Sequence, residues 1–164
     1  MAEFVKGLSS LRRKLAKLGN PTDRRTADQV GKTIVKETKN RIAKGTSPVA
    51  GEKNYPAYSS SYKDQIRRGR GAFRNKRIRP INLKLTGKML NALKHRVKKT
   101  QTLGFATIVG FFSAKQSDKV QFNRDNGRNP WPQPSEGETF KAGINKKIKD
   151  IYLKKIRSIT RSKA

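Results

Sequence analysis

The stretch TGKMLNALKHRVKKTQTLGFATIVGFF, residues 86–112, changes its apolar period midway. In its first third Met89, Leu90 and Leu93 fall at three- and four-residue steps, and Thr86 can cap a short helix that buries them. After that the helical spacing is lost. Arg96–Thr102 is mostly polar and reads as an edge strand, while Phe105–Phe112 has the β-branched and aromatic content of an inner one. Leu103-Gly104 is the turn between them. A helix followed by an antiparallel pair predicts an α+β fold, with a small sheet and helices on either side of it in the chain.

Upstream, two helices are expected. Leu8, Leu11, Leu15 and Leu18 recur at helical spacing within Phe4–Leu18, with Lys and Arg opposite, and Gly19-Asn20-Pro21 stops that helix. A second helix starts at a cap on Thr22 or Asp23 and runs to about Lys44 with Ala27, Val30, Ile34, Thr38 and Ile42 on one face; Gly45 closes it. Downstream, Ser135 and Glu138 match a capping box, and Phe140, Ile144, Ile148, Ile151, Ile156 and Ile159 predict a long C-terminal helix packed on the sheet.

Two stretches lack a period. Thr46–Pro80 is punctuated by Ser47-Pro48, Gly51, Tyr55-Pro56, Ser59–Ser61, Gly69 and Gly71, and reads as a long extended arm at about 46–80 on a single domain spanning 1–164. Its aromatics Tyr55, Tyr58, Tyr62 and Phe73 suggest order gained against a neighbouring subunit. Ser113–Pro134 is also expected to be irregular, with three prolines fixing extended backbone around Trp131, a further subunit-contact candidate.

Charge narrows the partners. Lys and Arg number 40 against 11 Asp and Glu, a formal net charge of +29, and self-repulsion on that scale calls for an acidic counterpart. The densest run is Arg67, Arg68, Arg70, Arg74, Arg77 and Arg79, placed to contact nucleic-acid phosphate or an acidic protein. Arg67-Arg-Gly-Arg-Gly-Ala-Phe-Arg74 is similar to RGG-type nucleic-acid segments but lacks the Gly-Lys-Ser/Thr ending of a phosphate-binding loop. No apolar run approaches the roughly 20 residues of a membrane helix, and the basic amphipathic N-terminus differs from a signal peptide, so the chain is expected in the cytoplasm before assembly.

A catalytic set is hard to assemble. There is no cysteine, and His95, the one histidine, sits between Lys94 and Arg96 and reads as a surface residue. Glu136 and Glu138 fit a helix first turn, and Asp118 and Asp125 lie among cations as local ion-pair partners. The expectation is a protein without enzymatic activity, metal or cofactor.

Three stretches together resemble the phage tail-completion and head-tail joining proteins, also described as virion morphogenesis or minor tail proteins. They are Phe4-Val-Lys-Gly-Leu-Ser-Ser-Leu-Arg-Arg-Lys-Leu-Ala-Lys-Leu18; Ile42-Ala-Lys-Gly-Thr-Ser-Pro-Val-Ala-Gly51 with Arg79-Pro-Ile-Asn-Leu-Lys-Leu-Thr-Gly-Lys-Met-Leu90; and Thr107-Ile-Val-Gly-Phe-Phe112 followed by a Pro-rich turn and a helix. At Asn126–Trp131 the chain departs from the family, which often has a His or Glu, Gly and then Pro-x-Arg-Pro-Phe. The resemblance implies a structural virion subunit that forms a ring, commonly sixfold, around the DNA passage of the neck or tail. Its implied neighbours are connector or tail-tube proteins and double-stranded DNA contacted without reading bases. The competing expectation from charge alone is a ribosomal or other RNA-binding structural protein.

Overall fold

The computed structural model describes residues 22–83, 87–101 and 104–161. The expected helix at Phe4–Leu18, the cap on Thr86 and the turn residue Leu103 lie outside them. Among the described residues the chain forms five α-helices and one two-stranded antiparallel sheet, the α+β arrangement expected.

Helix α1, Arg24–Ala43, organises the rest. Asp23 caps it by accepting from the Thr26 amide at 2.7 Å. Ala27, Val30, Ile34, Thr38 and Ile42 are all buried, as their spacing predicts, the valine and isoleucine side chains each contributing about 1.5–3 kcal/mol by leaving water. The helix stops at Gly45, whose φ of 78° belongs to the left-handed region and whose Cα side faces the Ile81 carbonyl.

The sheet lies against α1. Strand β1, Leu93–Thr100, pairs with β2, Gly104–Phe111, in a register that sets Leu93 opposite Phe111 and Thr100 opposite Gly104. Leu93, His95 and Val97 are less exposed than Lys94, Arg96 and Lys98, the alternation of a strand with one covered face. Thr107 donates its hydroxyl to the Ala27 carbonyl, and the Phe105 amide donates to Thr22 at 3.2 Å, tying β2 to the start of α1. Phe105–Phe112 was expected to be an inner strand; it is one of only two described strands, and α1 instead of a third strand covers its face.

The arm at 46–80 differs from the irregular segment expected. Thr46–Ala50 is clamped to the chain before the last helix: Ser47 donates to the Asn129 carbonyl at 2.7 Å, and the Ala50 amide to Thr139 at 2.8 Å. Helix α2, Ser60–Arg68, follows, capped by Ser59 and ended by Gly69 at φ 59°. Only Ile66 of its nine residues is buried, so no apolar period marked it. Tyr55 joins the core with Ile42, Met89 and Leu90, and Leu83, Phe111 and Val120 pack around them.

Short helix α3, Lys88–Ala92, buries Met89 and Leu90 as expected, although Gly87 is its N-terminal flanking residue. Helix α4, Ala114–Asp125, occupies much of the stretch expected to be irregular; it buries no residue fully, so apolar patterning could not reveal it. The last helix, α5, spans Ala142–Arg161 and buries Ile144 and Ile159. It begins later than the Ser135 capping box implied, because Ser135 lies in a 3-10 turn, Pro134–Glu136. Its partner is also corrected: α5 packs on α1, the helix it shares with the sheet, and not on the strands. No described helix is long and apolar enough to cross a membrane.

Candidate functional site

The six arginines expected to meet a polyanion are all exposed. Arg67 and Arg68 lie in the last turn of α2, where cations suit the helix dipole. Arg70, Arg74, Arg77 and Arg79 follow along a backbone bent by Gly69 and Gly71, which both adopt positive φ. Arg67 is paired with Asp64 at 2.9 Å, an exposed contact of low strength that another anion can replace.

An aromatic stack holds this segment in place. The rings of Tyr58 and Tyr62 stand 4.8 Å apart, and Phe73 meets Tyr62 edge-on at 5.4 Å. Lys76 and Arg128 lie over the Tyr58 ring, at 5.1 and 5.4 Å from its centroid. Tyr58 donates its hydroxyl to the Asn82 carbonyl, and Lys76 donates to that carbonyl at 2.8 Å and to Asn82 Oδ1 at 2.7 Å. Burial lowers the Lys76 ammonium to about 8 and raises the Tyr58 phenol to about 12.

The aromatic residues expected at subunit contacts thus divide. Tyr62 and Phe73 are partly exposed beside the arginines, whereas Tyr55 and Tyr58 are buried within their own chain. Tyr55 is a core residue whose phenol burial pushes upward in pKa. Trp131 lies elsewhere, edge-on to Phe111 at 6.0 Å and to Phe140 at 5.1 Å, where it joins the end of β2 to the approach to α5.

Between α2 and α4 the same stack borders a cleft of about 480 Å³. Tyr58 and Met89 are its buried lining; Lys119 and Phe122 are exposed, and Phe122 is 67% accessible. Lys76 and Arg128 add two more cations, and none of the described lining residues carries a carboxylate. Sequence reasoning missed this cleft because α4 has no apolar stripe, and because its walls come from segments far apart in the chain.

Several other titratable residues are engaged structurally. Arg124 forms ion pairs with Glu136 and, at 2.9 Å, with Glu138, which also accepts from the Asn129 side chain and from the Gln133 amide at 2.9 Å. Arg124 holds the Glu138 carboxyl below its usual range. Glu136 sits in the short 3-10 turn Pro134–Glu136 and Glu138 follows it, so neither lies in the expected first turn of the long C-terminal helix; both close the loop after α4. Asp125 accepts from Gln121 at 2.8 Å. His95 is a correction too: its side chain is only 19% exposed and its Nε2 lies 2.8 Å from Asp28 on α1. No three His, Cys, Asp or Glu among the described residues gather to hold a metal ion.

Compared with known proteins, the chain matches no protein family, no curated sequence and no solved structure.

Proposed function

We propose that the chain is a non-enzymatic structural subunit of a tailed-phage particle, acting in the neck or in tail completion. It assembles with copies of itself, sixfold by the family resemblance, and lines part of the passage through which double-stranded DNA moves. It resides in the host cytoplasm before assembly and in the virion afterwards.

The observation that carries the DNA contact is the row of exposed arginines from Arg67 to Arg79, fixed by the Tyr58–Tyr62–Phe73 stack. A moving duplex requires cations that meet phosphate at any sequence and release it readily. Guanidinium groups on a bent, solvated backbone suit that task, and they present no preformed groove for base edges. The net charge of +29 also becomes tolerable once phosphate neutralises it. The resemblance, not the charge, favours a virion over a ribosome.

Duplex binding by the purified chain as a function of salt tests the DNA contact, with Arg67, Arg68, Arg70 and Arg74 replaced together by Ala. Affinity that falls equally for all sequences supports the reading. Unchanged affinity assigns these arginines to acidic protein surfaces.

A further inference from the structure

We propose that the cleft between α2 and α4 receives an acidic segment of a partner protein that inserts one aromatic side chain. The inference rests on the cleft alone and stands whether or not the chain belongs to a phage particle.

Three observations support it. A volume of about 480 Å³ lies within the range of sites that enclose a small ligand, and suits one large side chain with its flanking backbone. The apolar lining includes buried Met89 and exposed Phe122, so an entering ring finds both a pocket and a partner for edge-on contact. The charged lining is Lys76, Lys119 and Arg128 with no described carboxylate, so carboxylates flanking the inserted ring meet cations.

The polar groups of the cleft separate a peptide from a nucleobase. Asn123 donates its amide to the Lys119 carbonyl at 2.7 Å, and Asn126 donates to Phe122 at 2.7 Å. Ser59 caps α2, and the Asn82 oxygens receive Lys76. These bonds within the chain engage the polar side chains lining the cleft, the Asn123 and Asn126 amides as donors and the Ser59 and Asn82 oxygens as acceptors, so a base edge would find few partners. An aromatic residue with neighbouring carboxylates asks only for apolar surface and positive charge. The chain's own residues 1–21 are a poor occupant, since their sequence carries the cations Lys6, Arg12, Arg13, Lys14 and Lys17 and Glu3 as its one acid.

The test is fluorescence anisotropy of the full chain with a short labelled peptide of Glu and Gly around one Trp. Two comparison peptides replace Trp by Ala or every Glu by Gln. Phe122→Ser and Lys119→Glu change exposed cleft positions, and Arg70→Ala with Arg74→Ala serves as the control outside the cleft. Removing the Trp, removing the acids, or making either cleft change is expected to weaken binding about tenfold, as for a buried interface anchor, while the control moves it less than about twofold. Circular dichroism confirms that the exposed changes leave the fold intact. Binding indifferent to Trp and to Phe122 overturns the proposal in favour of charge attraction alone. Displacement of the peptide by oligo(dT), itself dependent on Phe122, assigns the cleft to single-stranded nucleic acid. A photocrosslinker at position 122 that captures residues 1–21 assigns it to the chain itself.

Discussion

The imidazole of His95 occupies the space that a side chain on Gly31 would fill. A Cβ at Gly31 would stand 2.4 Å from His95 Cδ2, far inside contact distance. The glycine therefore lets β1 approach α1 closely enough for His95 to reach Asp28, one turn away on the same helix. Gly31→Ala gains about 1 kcal/mol of helix propensity but overpacks this contact by about 1–3 kcal/mol, so a net loss of stability is expected. Urea denaturation checks it. Adding His95→Ala should recover part of the loss, because it reopens the space.

Acid should weaken the junction of α1 and α5. Asp23 accepts from Lys155 of α5 at 2.6 Å, and this hydrogen bond lowers its carboxyl from 3.8 to about 2. Because the folded-state value is the depressed one, the stabilisation is complete above the unfolded value and is lost as pH falls from about 4 towards about 2. Asp23→Asn keeps a capping side chain but removes the charge, so its stability should vary less with pH across that window. Asp23→Ala also removes the cap, at a further cost of about 1 kcal/mol. Thermal melts at a series of pH values separate the two.

Arg124 is the hinge pin of the loop after α4. Its side chain is 15% exposed and that of Glu138 is 21%, so the pair is better shielded than a surface ion pair. Arg124→Ala leaves Glu138 with the Asn129 and Gln133 donors only, and a loss of about 1–3 kcal/mol is expected. Arg124→Lys should recover less than half of it, since one ammonium cannot reproduce the two-pronged contact. Chemical denaturation of the three proteins checks the order.

What could be read from the sequence follows from how each element buries itself. Helix α1 was legible to within a residue because Ala27, Val30, Ile34, Thr38 and Ile42 turn one continuous face to its neighbours. Helices α2 and α4 were hidden because α2 is held by its Ser59 cap, the aromatic stack and Ile66, and α4 by Val120 and the Arg124 ion pairs, none of which leaves an apolar period. The capping-box pattern at Ser135 and Glu138 misled for a physical reason: Arg124, remote in sequence until the loop closes, draws the glutamate away from the helix end. The arginine run was visible as composition, but the cleft beside it is assembled from separate segments and has no sequence signature.

If the arginines meet duplex DNA, the fourfold substitution Arg67→Ala, Arg68→Ala, Arg70→Ala and Arg74→Ala should flatten the salt dependence of binding. Loss of four phosphate contacts lowers the slope of log affinity against log salt by about 3–4. The change should be equal for unrelated sequences of the same length. Arg157→Ala, on α5 and away from this segment, should change the slope by no more than about 1.

The most direct test of the structural assignment is where the chain resides in cells producing particles. Gradient sedimentation followed by quantitative mass spectrometry of each fraction measures it. The account predicts that the chain co-sediments with DNA-filled particles, in a fixed small number of copies per particle consistent with a ring. Recovery with ribosomes, or only as a free monomer with none in the particles, would contradict it.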